Sequence, residues 1–200
     1  MSIAIIDYGM GNLRSVQKAL EKVGAQAHVT SSAADIVKAQ KVVLPGVGAM
    51  APAIARLQEL GLVDVIRKVA KEGKPFLGIC LGLQLLFEKS SEGGHVNGLR
   101  ILEGHVQRFS MLKVPHMGWN QINIEPVGKS MYQGIPDREN VYFCHSYYVC
   151  PKDQNIAASV TNYGIDFVSS VVKDNIWGVQ FHPEKSQKIG LQILKNFSQL

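Results

Sequence analysis

The segment that decides the fold runs Pro75-Phe76-Leu77-Gly78-Ile79-Cys80-Leu81-Gly82-Leu83-Gln84-Leu85-Leu86-Phe87-Glu88. Its first part is a short apolar run typical of a buried strand, and its second part spaces apolar residues as a helix does. A cysteine stands at the junction, between Gly78 and Gly82. Glycines at this spacing allow the tight strand-to-helix turn of a nucleophile elbow, which lifts the central side chain clear of the sheet. The sequence therefore predicts a strand–turn–helix unit that presents Cys80 for chemistry.

On the amino-terminal side of this unit, strand-like and helix-like segments alternate. The predicted strands are 3–7, 26–30, 42–44 and 76–79, and the predicted helices are 13–23, 51–57 and 62–72. Gly24 and Gly73 follow two of these helices, where a left-handed cap is favoured. Alternation of strand and helix predicts a parallel sheet covered on both faces. Functional groups are then expected at the carboxyl ends of the strands.

The carboxyl-terminal half is richer in strands separated by turn residues. The predicted strands are 100–107, 121–125, 141–143, 156–161, 167–172 and 176–181, and a closing helix is predicted over 189–197. These strands suit a mixed or antiparallel extension of the same sheet. Since neither an internal repeat nor a long linker interrupts the chain, we expect one α/β domain over residues 1–200.

Composition and charge exclude several classes of function. The net charge is +5, with 21 basic and 16 acidic residues, but the basic residues are spread along helix-like segments and form no nucleic-acid module. No apolar stretch is long enough for a membrane span, and no cationic leader precedes the first strand. The three cysteines are an odd number and show no metal-ligand spacing. We therefore expect a reduced setting. We expect a cytoplasmic protein that binds neither nucleic acid nor membrane.

Cys80 could also be an ordinary buried cysteine, because free cysteine is among the most buried residue types. The flanking glycines favour the reactive interpretation instead. At the start of a helix, unpaired N–H groups and the helix dipole favour the thiolate, which is the reactive form. Cys144 and Cys150 lack this context and are expected to pack.

A base and a group to orient it occur together in Gly178-Val179-Gln180-Phe181-His182-Pro183-Glu184. On extended backbone, His182 and Glu184 would point to the same side, since they are two residues apart. A carboxylate beside an imidazole fixes its tautomer and stabilises its cation. The His182-Pro183-Glu184 motif by itself is weak evidence for a catalytic pair. It becomes strong evidence because the cysteine elbow occurs in the same chain. The other histidines show no comparable pairing, and no metal site is expected: His28, His95, His105, His116 and His145.

Taken together, these motifs make the chain resemble the class I (triad) glutamine amidotransferases over essentially its whole length. The resemblance rests on Asp7-Tyr8-Gly9-Met10-Gly11-Asn12-Leu13, Leu44-Pro45-Gly46-Val47-Gly48, Gly78-Ile79-Cys80-Leu81-Gly82-Leu83-Gln84, Pro115-His116-Met117-Gly118-Trp119-Asn120, His145-Ser146-Tyr147-Tyr148 and Gln180-Phe181-His182-Pro183-Glu184-Lys185-Ser186. It implies a three-layer, flavodoxin-like α/β fold and glutamine as the substrate. Cys80, His182 and Glu184 would be the catalytic residues. Leu83 stands where many relatives have methionine, which exchanges one apolar residue for another.

The resemblance also implies which groups surround the substrate. The residues that would hold glutamine are Gln84, Glu92, Ser146 and Tyr147. The backbone N–H groups that would form an oxyanion hole belong to Leu81 and to Val47 or Gly48. A solvated surface carboxylate remains the alternative for Glu92, and a plain turn remains the alternative for the 45–48 loop.

A partner is implied as well. Ammonia released from glutamine would pass to a (βα)₈-barrel cyclase subunit in a heterodimer, which makes imidazole glycerol phosphate and AICAR in histidine biosynthesis. Trp119, Tyr142 and Lys185 would face that subunit. An ordinary strand aromatic is the alternative for Tyr142, and a solvated charge is the alternative for Lys185.

No cofactor is expected. Gly9-Met10-Gly11 begins like a dinucleotide-binding motif, but Arg14 occupies the place of the third glycine, and no acidic residue closes the second predicted strand. Two other functions stay open. One is a glutaminase that serves a different synthase, and the other is a non-catalytic binding module on a flavodoxin-like frame.

Overall fold

In the computed structural model, residues 2–110 and 112–200 are described, and within them strands and helices alternate through the first half of the chain. The strands are β1 (Ser2–Ile6), β2 (Gln26–Thr30), β3 (Lys41–Gly46), β4 (Phe76–Cys80), β5 (Lys89–Ser90), β6 (Val96–Asn97), β7 (Gly104–Arg108), β8 (His116–Gln121), β9 (Asn123–Ile124), β10 (Asn140–His145), β11 (Tyr147–Pro151), β12 (Ala157–Asn162), β13 (Asp166–Lys173) and β14 (Ile176–Val179). The α-helices are α1 (Leu13–Lys22), α2 (Ala33–Lys38), α3 (Met50–Glu59), α4 (Leu62–Lys71), α5 (Leu81–Leu85) and α6 (Gln187–Ser198). Short 3₁₀ turns cover Pro126–Lys129, Gln154–Ile156 and Pro183–Lys185.

Five parallel strands form the centre of the main sheet, in the order β2-β1-β3-β4-β14. Beyond β14 the sheet continues antiparallel through β13, which also pairs with β11 and β12. β8 and β10 form a separate antiparallel ribbon. The predicted α/β class, with a largely parallel centre and a mixed extension, is confirmed.

Helices cover both faces of the parallel strands, because alternate strand residues point to opposite sides. Ala4 and Ile6 of β1 belong to one core cluster, which also contains the buried residues of α2, α3 and α4. Ile3 and Ile5 belong to a second cluster with the buried residues of α1 and α6. The result is a three-layer arrangement of helix, sheet and helix. None of the helices in the described residues is long and apolar enough to cross a lipid bilayer.

The predicted elements of the first half occur with small changes at their ends. Gly24 and Gly73 have φ of 86° and 79°, which confirms the predicted left-handed caps. The short helix α2 was not predicted. In the second half, the predicted strand over 100–107 begins only at Gly104, β8 overlaps a predicted strand only at Gln121, and β11 lies outside the predicted strands.

Candidate active site

Cys80 lies at a strained turn between β4 and α5. Its φ of 54° and ψ of −109° are rare for a residue with a side chain. The turn depends on its glycines: a Cβ on Gly82 would overlap the Leu44 carbonyl oxygen, and one on Gly78 would lie 2.9 Å from the Gly82 backbone. The predicted elbow is therefore present, although the helix after it has only five residues.

His182 and Glu184 are in contact, as predicted, but through a different backbone shape. The His182 Nδ1 and the Glu184 Oε1 are 2.9 Å apart. β14 ends at Val179, and Pro183–Lys185 forms a 3₁₀ turn, so the expected extended backbone over both residues is wrong. This turn brings the Glu184 carboxylate into hydrogen-bond distance of the His182 imidazole. Both side chains are shielded from solvent, with exposed fractions of 4% and 1%.

The protonation state of His182 follows from its neighbours. Burial by itself would lower the pKa of this imidazole. Hydrogen bonding to Cys80 and to Glu184, together with their negative charges, outweighs burial and raises the pKa to about 10 from 6.5. A carboxylate that accepts from Nδ1 leaves Nε2 as the nitrogen free to exchange a proton with another group.

The backbone of His182 is held in place by Ser186 and Tyr142. The Ser186 hydroxyl donates to the His182 carbonyl oxygen at 2.7 Å and accepts from the Tyr142 N–H at 2.9 Å. The His182 N–H in turn donates to the Tyr142 carbonyl at 2.9 Å. These bonds tie the 3₁₀ turn to β10 and fix where the imidazole stands.

A cavity of about 330 Å³ opens beside Cys80. The predicted site residues that line it are Val47, Gly48, Cys80, Leu81, Gln84, Glu92, Ser146, Tyr147, His182 and Lys185. Glu184 is not part of the lining, because it lies behind His182. Residues far apart in the sequence meet here because β3, β4 and β14 are parallel neighbours and end at one edge of the sheet.

The 45–48 loop borders the nucleophile directly. Gly46, the last residue of β3, lies opposite Cys80 in the strand register. Val47 is 40% exposed and Gly48 has φ of 94°, a backbone that glycine adopts readily. The hydroxyl of Tyr8 is buried against Gly46 and has no hydrogen-bond partner among residues 2–110 and 112–200.

Gln84 and Glu92 both make specific hydrogen bonds. The Gln84 Nε2 donates to the Tyr147 carbonyl oxygen and to the Gln180 Oε1, each at 3.0 Å. The Glu92 Oε2 accepts from the Met50 N–H at 2.6 Å, at the start of α3. Glu92 is thus hydrogen-bonded to the start of α3, the helix that follows the 45–48 loop, and it still lines the cavity.

The three residues predicted to face a partner form one cluster. The rings of Trp119 and Tyr142 meet edge to face, with centroids 6.0 Å apart. The Lys185 Nζ lies 5.7 Å from the Tyr142 ring, at the margin of the cavity. Trp119 is 49% exposed, and Met117 beside it on β8 is 61% exposed.

Two of the other histidines make a contact that the sequence did not indicate. His116 and His145 pair with each other inside an aromatic cluster, with 2.9 Å between the His116 Nδ1 and the His145 Nε2. The His145 Nδ1 lies 2.7 Å from the Tyr147 carbonyl, which can only accept, so this nitrogen carries the hydrogen. The His145 Nε2 is then the acceptor, and the His116 Nδ1 is the donor. No local sequence pattern indicates this pair, because the two residues are 29 positions apart.

Gln180 is a further residue that sequence reasoning left without a role. Its side chain is fully buried, and its Nε2 lies 3.7 Å from the Cys80 Sγ. A signal for it did exist. Gln180 directly follows β14, the parallel neighbour of the strand that ends at Cys80.

Known proteins are similar to this chain in sequence and in fold. The "Imidazole glycerol phosphate synthase subunit HisH" of Moorella thermoacetica is 54% identical over 99% of this chain and 94% of its own length. The protein of the same name from Syntrophotalea carbinolica is 52% identical over 99% of this chain and 100% of its own length. A solved structure titled "Crystal structure of glutamine amidotransferase" superposes with a TM-score of 0.78 over 99% of both chains at 17% identity, a likeness of fold alone. The sequence model of the family "Glutamine amidotransferase class-I" matches residues 4–199. With the elbow, the buried His–Glu pair and a match along nearly its whole length, the chain belongs to the class-I glutamine amidotransferases.

Proposed function

We propose that this chain hydrolyses glutamine to glutamate and ammonia, as the glutaminase subunit of an imidazole glycerol phosphate synthase in histidine biosynthesis. The observation that carries the chemistry is the cysteine at a strained elbow, lining one cavity with an imidazole held by a buried carboxylate. The choice of synthase is supported by relatives of that name which are 54% and 52% identical over almost the entire chain.

In the proposed mechanism, the Cys80 thiolate attacks the side-chain amide carbonyl of glutamine. His182 gives its Nε2 proton to the departing ammonia, and a γ-glutamyl thioester remains on the sulfur. The imidazole then takes a proton from water, which attacks the thioester and releases glutamate. Glu184 keeps the Nδ1 hydrogen in place and stabilises the cation in both steps. The raised pKa of His182, about 10, supports a cationic imidazole at the start of the cycle.

The charge that develops on the substrate oxygen needs N–H donors. The Leu81 N–H, the first of α5, and a backbone N–H of Val47 or Gly48 are the proposed pair. Support comes from the register, since Gly46 lies opposite Cys80 and the loop after it borders the same cavity as Leu81.

The amino-acid end of glutamine is proposed to bind between Gln84, Glu92 and the 146–147 segment. Both donor hydrogens of Gln84 are engaged inside the protein, so this side chain offers its Oε1 to the substrate. Oε1 can accept from an ammonium group, and the nearby Glu92 carboxylate carries the complementary charge. A cavity of about 330 Å³ suits a ligand as small as glutamine.

The acceptor of the ammonia is proposed to be a (βα)₈-barrel cyclase subunit bound as a heterodimer over Trp119, Tyr142 and Lys185. Exposed aromatic side chains with a neighbouring cation are common anchors of interfaces. The cluster borders the cavity through Lys185, which would place the interface close to the point where ammonia is released.

The test is a Cys80→Ala variant assembled with the cyclase subunit. We expect glutamate release to be abolished, because the nucleophile is gone, while ring formation supplied with free ammonium continues. His182→Ala should lose nearly as much activity, and Glu184→Ala less, because orienting a base contributes less than being the base. Glutamate release by Cys80→Ala at the wild-type rate would refute the proposal.

A further inference from the structure

Gln180 is completely buried beside Cys80, and the mechanism above gives it no role. β14 runs parallel to β4 with Val179 opposite Ile79, and Gln180 and Cys80 each directly follow that last pair. The Gln180 N–H donates to the Ser169 carbonyl at 2.9 Å, which holds the backbone in the sheet. The side chain therefore leaves the backbone at a fixed point next to the sulfur.

The orientation of the Gln180 amide follows from a backbone anchor. The Tyr147 carbonyl oxygen can only accept, so the Gln84 atom that faces it at 3.0 Å is the nitrogen. The second hydrogen of that nitrogen points to Gln180 at 3.0 Å, and the atom that receives it must be the Gln180 Oε1. The remaining atom, Nε2, then faces the Cys80 Sγ at 3.7 Å as a donor.

The Tyr147 carbonyl is itself held from a second side. The His145 Nδ1 donates to it at 2.7 Å, and the His116 Nδ1 donates to the His145 Nε2 at 2.9 Å. Gln84, Gln180, His116 and His145 are all buried, with exposed fractions of 6%, 0%, 3% and 5%. A buried polar chain whose members are all paired defines a single arrangement.

We infer that Gln180 is a further catalytic residue: its amide N–H donates to the Cys80 sulfur, stabilises the thiolate and aims it at the cavity. The inference rests on the proposed function, in which Cys80 is the nucleophile. A hydrogen bond to a charged acceptor is stronger than one between neutral groups, so the donor favours the thiolate over the thiol. An acceptor-only or apolar side chain at position 180 would lose this effect.

The titratable and charged groups that face Cys80 come from several other elements. Tyr8 follows β1 and interacts electrostatically with the sulfur, and His182 directly precedes the 3₁₀ turn with Glu184 behind it. Cys144 and His145 lie at the end of β10, and Glu92 and Lys185 line the same cavity. All of them remain in a Gln180 variant. A change in the pH dependence of the sulfur in such a variant therefore reports on the amide at position 180.

The experiment measures the rate of Cys80 alkylation by iodoacetamide against pH in the full chain, with peptides resolved by mass spectrometry. In Gln180→Met, a neutral side chain of similar length, we expect the half-maximal rate to move about one pH unit upward, as for the loss of one hydrogen bond to a charged group. In complex with the cyclase subunit, kcat for glutamine should fall about tenfold with KM changed less than about threefold. Cys150 in the same digest is an internal reference and should keep its wild-type profile.

Two further variants make the result decisive. Gln180→Leu is a second neutral side chain that cannot donate to sulfur and adds no charge beside it, so it should also shift the Cys80 profile upward, and it carries the test if Gln180→Met does not fold. Gln107→Met removes a surface amide whose Oε1 lies 4.0 Å from the Cys150 sulfur, and it should leave the Cys80 profile unchanged. A wild-type Cys80 profile and kcat in both folded Gln180 variants would overturn the inference. That outcome is distinct from failure of the proposed function, which would appear as wild-type glutamate release by Cys80→Ala.

Discussion

At Cys80 the backbone takes a conformation that side chains disfavour, with φ of 54° and ψ of −109°. Such positions cost about 1–3 kcal/mol each and persist where the surrounding structure enforces them. Gly82, packed against the Leu44 carbonyl, is part of that enforcement. The strain aims the sulfur between the 45–48 loop and His182, where the proposed chemistry needs it.

This strain gives a prediction about stability. Cys80→Gly should be more stable than Cys80→Ala by about 1–2 kcal/mol, because glycine adopts the same φ and ψ without the Cβ clash. Cys80→Ala is the matched control, since it also lacks the thiol but keeps the Cβ. Urea denaturation of both variants measures the difference. Equal unfolding free energies would mean that the elbow stores no strain.

The His–Glu contact shows how far residue-level reasoning reaches. Sequence spacing indicated that His182 and Glu184 would meet, and they do, at 2.9 Å. The expected extended backbone was wrong, because Pro183 begins a 3₁₀ turn. Proline fixes φ near −65°, which suits the first position of a helical turn as well as an extended segment, so local sequence alone did not separate the two.

Among the elements, the parallel half of the sheet was predictable and much of the antiparallel half was not. The strands β1, β3 and β4 are largely buried and apolar, and the helices α1, α3 and α4 between them have clear apolar spacing. In β8, by contrast, the apolar residues Met117 and Trp119 face solvent, so its pattern is not that of a half-buried strand. Helix α2 has six residues and buries only Ile36, too little for a periodic signal.

The ribbon of β8 and β10 contains the histidine pair, and its titration gives a second prediction. Burial lowers the pKa of His116 to about 4 and that of His145 to about 3, from 6.5. Below pH 6.5 the unfolded chain binds protons at these positions while the folded chain does not. The free energy of unfolding should therefore fall as the pH falls from 6.5 toward 4.

His116→Asn should make this loss of stability less steep, because one of the two depressed groups is gone. His95→Gln, which changes an exposed histidine, is the control and should keep the wild-type slope. Urea denaturation at a series of pH values across the window gives the slopes. Identical slopes for wild type and His116→Asn would show that the buried pair does not resist protonation.

Across the whole molecule, the candidate site lies where β3, β4 and β14 end at one edge of the parallel sheet, and Glu92 and the 146–147 segment complete its lining. Sequence alone placed Cys80, His182, Gln84 and Glu92 in one site by resemblance, and all four line one cavity. It did not place Gln180 or the histidine pair, because their contacts depend on strand register and on packing between distant segments.

At this scale the third prediction concerns the exposed cluster of Trp119, Tyr142 and Lys185. Trp119→Ala should weaken binding of the cyclase subunit by about 2 kcal/mol or more, as for a central aromatic anchor, and should leave the stability of the isolated chain nearly unchanged. Val37→Ala, at a 38% exposed position on α2, is the control. Calorimetric titration with the cyclase subunit measures affinity. Equal affinities for both variants and wild type would remove this surface from the proposed interface.

The central claim is that Cys80 carries the glutamyl group during turnover. The most direct measurement quenches the assembled enzyme in acid while it is hydrolysing glutamine and identifies modified peptides by mass spectrometry. We predict a γ-glutamyl group on the peptide that contains Cys80, its absence in Cys80→Ala, and unmodified Cys144 and Cys150 in both. Steady glutamate release with no adduct on Cys80, or with the adduct on another residue, would contradict this account.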